Sequence, residues 1–309
     1  MGFNRRFAVL AIVALMASAH GWVSAQTLFQ FFVSATDASG APLTDLRAAD
    51  VIMSEDGVSQ PVVKVEPLPV PIKLTIAVDN GFDSVDAIEH YRTGLTGLVE
   101  ALPPDVEITL ISTSPQPRTV VKPTTDRVQV LRGLKNFAPE RTAPRFSDAL
   151  VEYSQRLQRE AKDGKAAPYL PVLLMVSTAA NDQTNYQPKD IEKAVTALAT
   201  RGARMNTILV STRQGDVESA THLKSSLQGM VSIMATKLTN GRYEEVLVPS
   251  KLATLLPDWG RELAALHARQ RNQFRVTVER GSSGDLKNPR IELARAGAKG
   301  VVTRDGYLP

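Results

Sequence analysis

The seven residues from Leu170 to Val176 carry no polar side chain. A run that apolar and that short, following the polar loop Lys162 to Pro168, marks a strand buried on both faces, as strands in parallel sheets are. Its surroundings repeat the pattern. Ile72 to Val78, Val106 to Ser112 and Met205 to Val210 read as further strands. Between and after them come helix candidates at Ser84 to Ala101, Val128 to Leu134, Ser147 to Ala161, Pro188 to Thr200, Asp216 to Gln228 and Ser250 to His267. In the first, Val85, Ile88, Leu95 and Leu98 share one helical face; in the third, Leu150, Val151, Tyr153 and Leu157 supply the buried side. Pro188 sits in a first turn, where its missing N–H is tolerated. Strand and helix alternating this often predict a doubly wound α/β fold with a mostly parallel sheet over residues 71–268.

Both ends of the chain have a different texture. Thr27 to Thr36 is rich in Phe and Val and runs into the turn Asp37-Ala38-Ser39-Gly40. Asp50 to Ser54 and Pro61 to Val65 are short strand candidates on either side of Glu55-Asp56-Gly57, whose Asp-Gly pair signals a tight hairpin. Pro67, Pro69 and Pro71 then make a stiff linker. Near the other end, Phe274, Val276 and Val278 alternate with Arg275, Thr277 and Glu279, giving one buried and one wet face. The turn Gly281 to Asp285 follows, and Arg290 to Ala294 and Gly300 to Arg304 are partner strands. Each end alone has too few strands to be stable, so residues 26–68 and 269–309 are expected to pack into one small sandwich.

Residues 1–25 read as a cleaved secretory signal: Arg5 and Arg6 open it, Phe7 to Ala19 are mostly apolar, and Val23-Ser24-Ala25 offers small residues before Gln26. No later segment could span a bilayer. Removing Arg5 and Arg6 leaves 34 basic residues against 32 acidic, so the pI near 9.3 overstates any basic character. No polybasic run interleaved with aromatics appears, which argues against a nucleic-acid partner. There is no cysteine among the 309 residues; disulfides, thiolate zinc sites and cysteine nucleophiles are excluded.

An α/β sheet whose first strand ends in an acidic loop resembles the von Willebrand factor A domain. The order of segments resembles the VWFA-related proteins common among acidobacteria. The likeness is carried by Phe32 to Asp37, Leu46 to Val51 and Glu55 to Pro61 in the opening segment. In the sheet it is carried by Leu74 to Asp79, Val172 to Val176 and Leu238 to Tyr243. At the close, Gln273 to Val276 and Arg304 to Tyr307 carry it. The resemblance implies a metal-ion-dependent adhesion site at the carboxyl ends of the strands: Asp-x-Ser-x-Ser after the first strand, a Thr before a later helix, an Asp after the fourth strand. Mg²⁺ demands near-octahedral oxygen coordination, so such donors must converge.

On that pattern Asp79 matches the first Asp, while Gly81 and Asp83 stand at the two Ser positions, Pro144 at the Thr and Thr178 at the last Asp. Gly81 and Pro144 offer no side-chain oxygen. The site is therefore expected to be degenerate, with no metal or other cofactor. If a looser Ca²⁺-like shell formed, Asp79, Asp83, Thr178 and Asp182 would build it, with Asn181 alongside. Otherwise Asp79 and Asp83 are expected to cap the helix near Ser84.

Other chemistry finds little support. His90, His222 and His267 each stand alone on an expected helix, where a histidine is usually a surface or boundary residue. There is no Gly-x-Ser-x-Gly, no Gly-x-Gly-x-x-Gly, and Gly164-Lys165 lacks the rest of a phosphate loop. Ser147 before Asp148 reads as a helix cap. Arg269, Arg271 and Arg275 read as solvating charges, with an acidic partner as the other option. The expectation is an exported, non-enzymatic protein that binds another protein through Asp79, Asn80, Phe82, Asp83, Arg145, Phe146, Ser147, Asn181 and Asp182. A hydrolase using Asp79 with Asp83 is the rival from another class, and it requires a deep pocket around both.

Overall fold

The computed structural model describes residues 27–163, 168–211, 223–280 and 286–308. The signal-like leader, Gly164-Lys165, His222, the turn Gly281 to Asp285 and most of the helix expected over Asp216 to Gln228 lie outside the described residues.

From the amino end come β1 (Thr27–Thr36), β2 (Val51–Glu55), β3 (Val58–Gln60) and β4 (Val62–Pro67). The central part follows: β5 (Ile72–Val78), a 3₁₀ turn (Phe82–Ala87), α1 (Ile88–Ala101), β6 (Glu107–Ser112), β7 (Arg118–Thr124), α2 (Arg127–Lys135) and α3 (Phe146–Asp163). Next are β8 (Leu170–Thr178), α4 (Pro188–Thr200), β9 (Arg204–Val210), α5 (Leu227–Thr239), β10 (Tyr243–Val246) and α6 (Leu252–Arg271). The chain closes with β11 (Gln273–Arg280), β12 (Arg290–Leu293) and β13 (Lys299–Thr303).

Six strands make the central sheet in the order β10-β9-β8-β5-β6-β7. All pairings are parallel except that of the edge strand β7. Every residue of β8 is buried, as its apolar run requires. On one face Ile72, Leu74, Ile76 and Val78 pack against Ile88, Tyr91 and Leu95 of α1 and Leu252, Leu256 and Trp259 of α6. On the other, Ala77, Leu173 and Met175 meet Phe146, Leu150 and Leu157 of α3 together with α4 and α5. The sheet is therefore wound on both faces. The chain leaves β5 for β6 on one side and returns to β8 on the other, so the switch point lies between the carboxyl ends of β5 and β8.

Three local expectations need correction. The helix expected from Ser84 starts as a 3₁₀ turn, and Val85, placed on its buried face, is 49% exposed because the tighter turn rotates it outward. A helix reaches Thr239, well past Gln228. Ser226 caps its start by accepting from the Gly229 amide, and Asn240 ends it at φ 50°. Gly241 follows, where a Cβ would lie 1.8 Å from the Met205 carbonyl oxygen, so only glycine fits. Thr277, assigned to a wet face, is buried; β11 is an inner strand with β1 on one side and β4 on the other.

The ends of the chain meet. One sheet runs β13-β1-β11-β4 and another β12-β2-β3, so each contains strands from both termini, alternating in the first. Between them lies a core of Phe31, Val33, Leu46, Val51, Met53, Phe274, Val276 and Val278. The proline stretch is clamped at the junction: the Leu68 amide donates to Gln273 O at 2.8 Å and the Val70 amide to Gln270 O at 3.1 Å.

Candidate functional site

β5 ends at Val78, and Asp79 points into the switch-point crevice with 1% of its surface exposed. Its Oδ1 accepts from the Gly81 amide at 2.7 Å. Its Oδ2 accepts from Thr178 Oγ1 at 2.7 Å, the Thr178 amide at 3.1 Å and Ser177 Oγ at 3.2 Å. One carboxylate thus ties the end of β5 to the end of β8. Burial pushes Asp79 above the usual carboxylate range, opposed by the Gly81 amide and the Thr178 and Ser177 donors. It does not cap the helix near Ser84, since its oxygens are engaged elsewhere, and Asp83 is exposed.

Asn80 is equally committed. Its Nδ2 donates to Ala138 O at 3.0 Å and its Oδ1 accepts from the Ser114 amide at 3.0 Å. The loops after β5, after β6 and before α3 are bracketed by this one side chain.

The start of α3 is capped from a distance. Asp182, on the loop after β8, accepts the Phe146 amide at 2.8 Å and the Ser147 amide at 3.0 Å, one on each oxygen. A carboxylate at a helix start satisfies free amides and complements the dipole. Burial raises Asp182 above the usual range; Ser147 and Phe146 oppose this, and the Asp148 charge adds to it. Ser147 is thus inside the helix and not its cap. Asp148, itself buried, accepts from Thr184 Oγ1 at 2.6 Å, the Asn185 amide at 2.9 Å and Asn185 Nδ2 at 3.1 Å. Arg145 staples the neighbouring loops, donating to Pro115 O at 2.9 Å, Gln183 O at 2.6 Å and Asp148 Oδ2 at 3.3 Å.

These bonds correct the expected contact surface. Asp79, Asn80, Phe146 and Ser147, expected at a contact surface, are all buried, the last two at 0% exposure, and shape the loops from within. Arg145 and Asp182 are half-buried and engaged. Phe82, Asp83 and Asn181 remain at the surface. Sequence reasoning missed Ser114, Asp148, Thr184 and Asn185 as members of the network, because their partners lie on other loops. It also missed Val85 and Asp86 as exposed neighbours of Phe82.

The residues present do not fit a divalent cation. Of the four oxygen donors considered, Asp79 and Thr178 are bonded to each other, Asp182 faces the positive end of α3, and Asp83 is at the surface. A Cβ on Gly81 would lie 2.8 Å from Thr142 O and 3.0 Å from Ser114 Oγ, so even the hydroxyl that the family pattern places there has no room. Neither Asp79 nor Asp83 lines any of four clefts of about 280 to 460 Å³ on the described surface, and Asp83 is exposed while Asp79 is buried. Among the described residues no group of three or more His, Cys, Asp or Glu side chains is placed to hold a metal. No described helix is long and apolar enough to cross a membrane.

No protein-family model and no curated protein matches the sequence. Solved structures do align with the fold. A von Willebrand factor type A protein from Catenulispora acidiphila aligns at 9% identity and TM-score 0.47, over 79% of this chain and 52% of that one. This chain therefore spans about half of that relative's length. The conserved hypothetical protein BatB from Bacteroides thetaiotaomicron aligns at 14% identity and TM-score 0.46, over 62% of this chain and 98% of that one. The SpRpn10 VWA domain aligns at 13% identity and TM-score 0.44, over 60% and 94%. The fold class itself stands on the strand order: a doubly wound, mostly parallel α/β sheet flanked by β segments from both ends of the chain.

Proposed function

We propose that the chain is an exported, non-enzymatic binding or scaffold protein with an A-type domain, and that it recognises a protein partner without a metal ion. The observation that supports this most is the internal saturation of the crevice. Asp79, Asn80, Asp148 and Asp182 all serve as acceptors within the fold, which leaves shape and apolar contact as the means of recognition. Phe82, 65% exposed, and Val85 lie three apart on one 3₁₀ turn, where such residues eclipse. Asp83, Asp86 and Asn181 are exposed as well. Such a knob, apolar with an acidic fringe, suits a protein surface and not a nucleic acid. Residues 1–25 are the basis for export.

Two measurements test the reading. Thermal unfolding in the presence of Ca²⁺, Mg²⁺ or Mn²⁺ is expected to show no saturable stabilisation; a saturable shift rejects metal independence. Capture from the native envelope fraction is expected to survive a chelator and to be lost in a Phe82→Ser, Val85→Ser variant that still folds. Undiminished capture by that variant moves the recognition surface elsewhere.

A further inference from the structure

At the other end of the sheet, the amino ends of β9 and β10 and the later turns of α6 enclose a cleft of about 420 Å³, within the range of small-molecule sites. Its charges are unbalanced. Arg242 is accounted for: it bonds Glu244 and Glu262, and its guanidinium lies 5.1 Å from the centre of the Trp259 ring. Arg204 and Arg269 are not. Arg204 donates to the Leu308 carbonyl, and among the described residues no carboxylate meets either of these two guanidinium groups. Burial pushes Arg204 below its ordinary value and the neighbouring Arg269 charge pushes it further. The dipole at the end of α6 favours a cation at Arg269, but it gives no reason for a second, half-buried one beside it. Like charges brought together where water is partly excluded, without a counter-ion, repel at a cost. The rest of the wall includes Leu263, Ala265 and Leu266.

We propose that this cleft binds a small organic anion, its carboxylate or phosphate head held by Arg204 and Arg269 and its apolar body lying on Leu263 and Leu266. Guanidinium forks match both head groups in geometry, and an apolar surface beside them selects an acid with a hydrocarbon part over a bare inorganic ion. The site stands apart from the partner-binding loops and does not depend on them.

Isothermal titration of the full chain with benzoate and with phenyl phosphate, at fixed ionic strength in chloride, tests this. At least one is expected to bind saturably, and which one does assigns the head group. Benzyl alcohol, of similar size but neutral, is expected to bind at least about tenfold more weakly, roughly the 1.4 kcal/mol that one charge-assisted contact supplies. Arg269→Gln, at a half-exposed position whose side chain bonds nothing among the described residues, is expected to keep or raise the unfolding temperature, because it relieves the repulsion on Arg204, and to weaken binding about tenfold or more, with Arg269→Lys in between. The proposal is overturned if neither anion binds saturably, if benzyl alcohol binds as well as the anions, or if Arg269→Gln binds like the parent.

Discussion

His267 shows best how a residue's role comes from the fold. Its Nδ1 accepts from the Ile72 amide at 3.1 Å and its Nε2 lies 3.1 Å from Asp105 Oδ2. An acceptor at Nδ1 fixes the neutral tautomer with its proton on Nε2. Protonation would set N–H against N–H. Arg271 bonds the same Asp105 carboxylate and offsets its pull on a charged ring. Burial accordingly lowers His267 below 6.5. The unfolded chain takes up a proton at a higher pH than the folded one does, so stability is full above about pH 6.5 and falls as pH drops below it. The slope for one proton approaches about 1.4 kcal/mol per pH unit. Urea midpoints measured between about pH 5 and pH 7.5 should fall on the acid side for the parent and stay flatter for His267→Gln; equal slopes would show that this ring does not titrate with unfolding. Nothing local marked this histidine. The sequence placed it on a helix, correctly, but as a surface or boundary residue; it is 2% exposed, because its partners Ile72 and Asp105, 195 and 162 residues away, draw it inward. Asp79 was legible as a crevice residue because it ends an apolar strand. Its bonding to Ser177 and Thr178 was not, since that requires knowing which strand lies alongside.

At the level of elements, the strands were the legible part. β5, β6, β8 and β9 announce themselves by composition, and the α/β class follows from their alternation. Helix starts were less so. Asp126 caps α2 from its own sequence, accepting the Val128 and Gln129 amides, a signal that can be read locally. α3 draws its cap from Asp182, which is 36 residues from Phe146, and Ser147 at its start invites the wrong inference. Asp182→Ala therefore removes the partner of two amides at once and is expected to lower stability by about 1–2 kcal/mol. Asp182→Asn, retaining one acceptor, is expected to cost less. Chemical denaturation measures both. A loss no larger than that of a neutral surface substitution would mean that water replaces the cap.

For the whole molecule, the arrangement of the ends was legible only as a need: neither terminal segment could stand alone. The registers could not be read, because they join residues some 240 apart, such as Phe31 with Val276. β11 is the strand on which β1 and β4 both depend. A chain ending at residue 272 is expected to expose Phe31, Val33, Val51 and Met53, and limited proteolysis should then cut within residues 27–67 while residues 72–271 resist. Equal resistance of both parts would show that β1 to β4 hold together unaided.

The two hydrogen bonds at the junction have a mechanical consequence. The β module is joined to the central sheet by two chain segments, the one entering β5 and the one leaving α6, and these are cross-linked to each other at Leu68–Gln273 and Val70–Gln270. A single tether lets the body beyond it swivel. Paired and bridged tethers resist torsion, so a pull on the loops above β5 is passed to the module as one rigid lever.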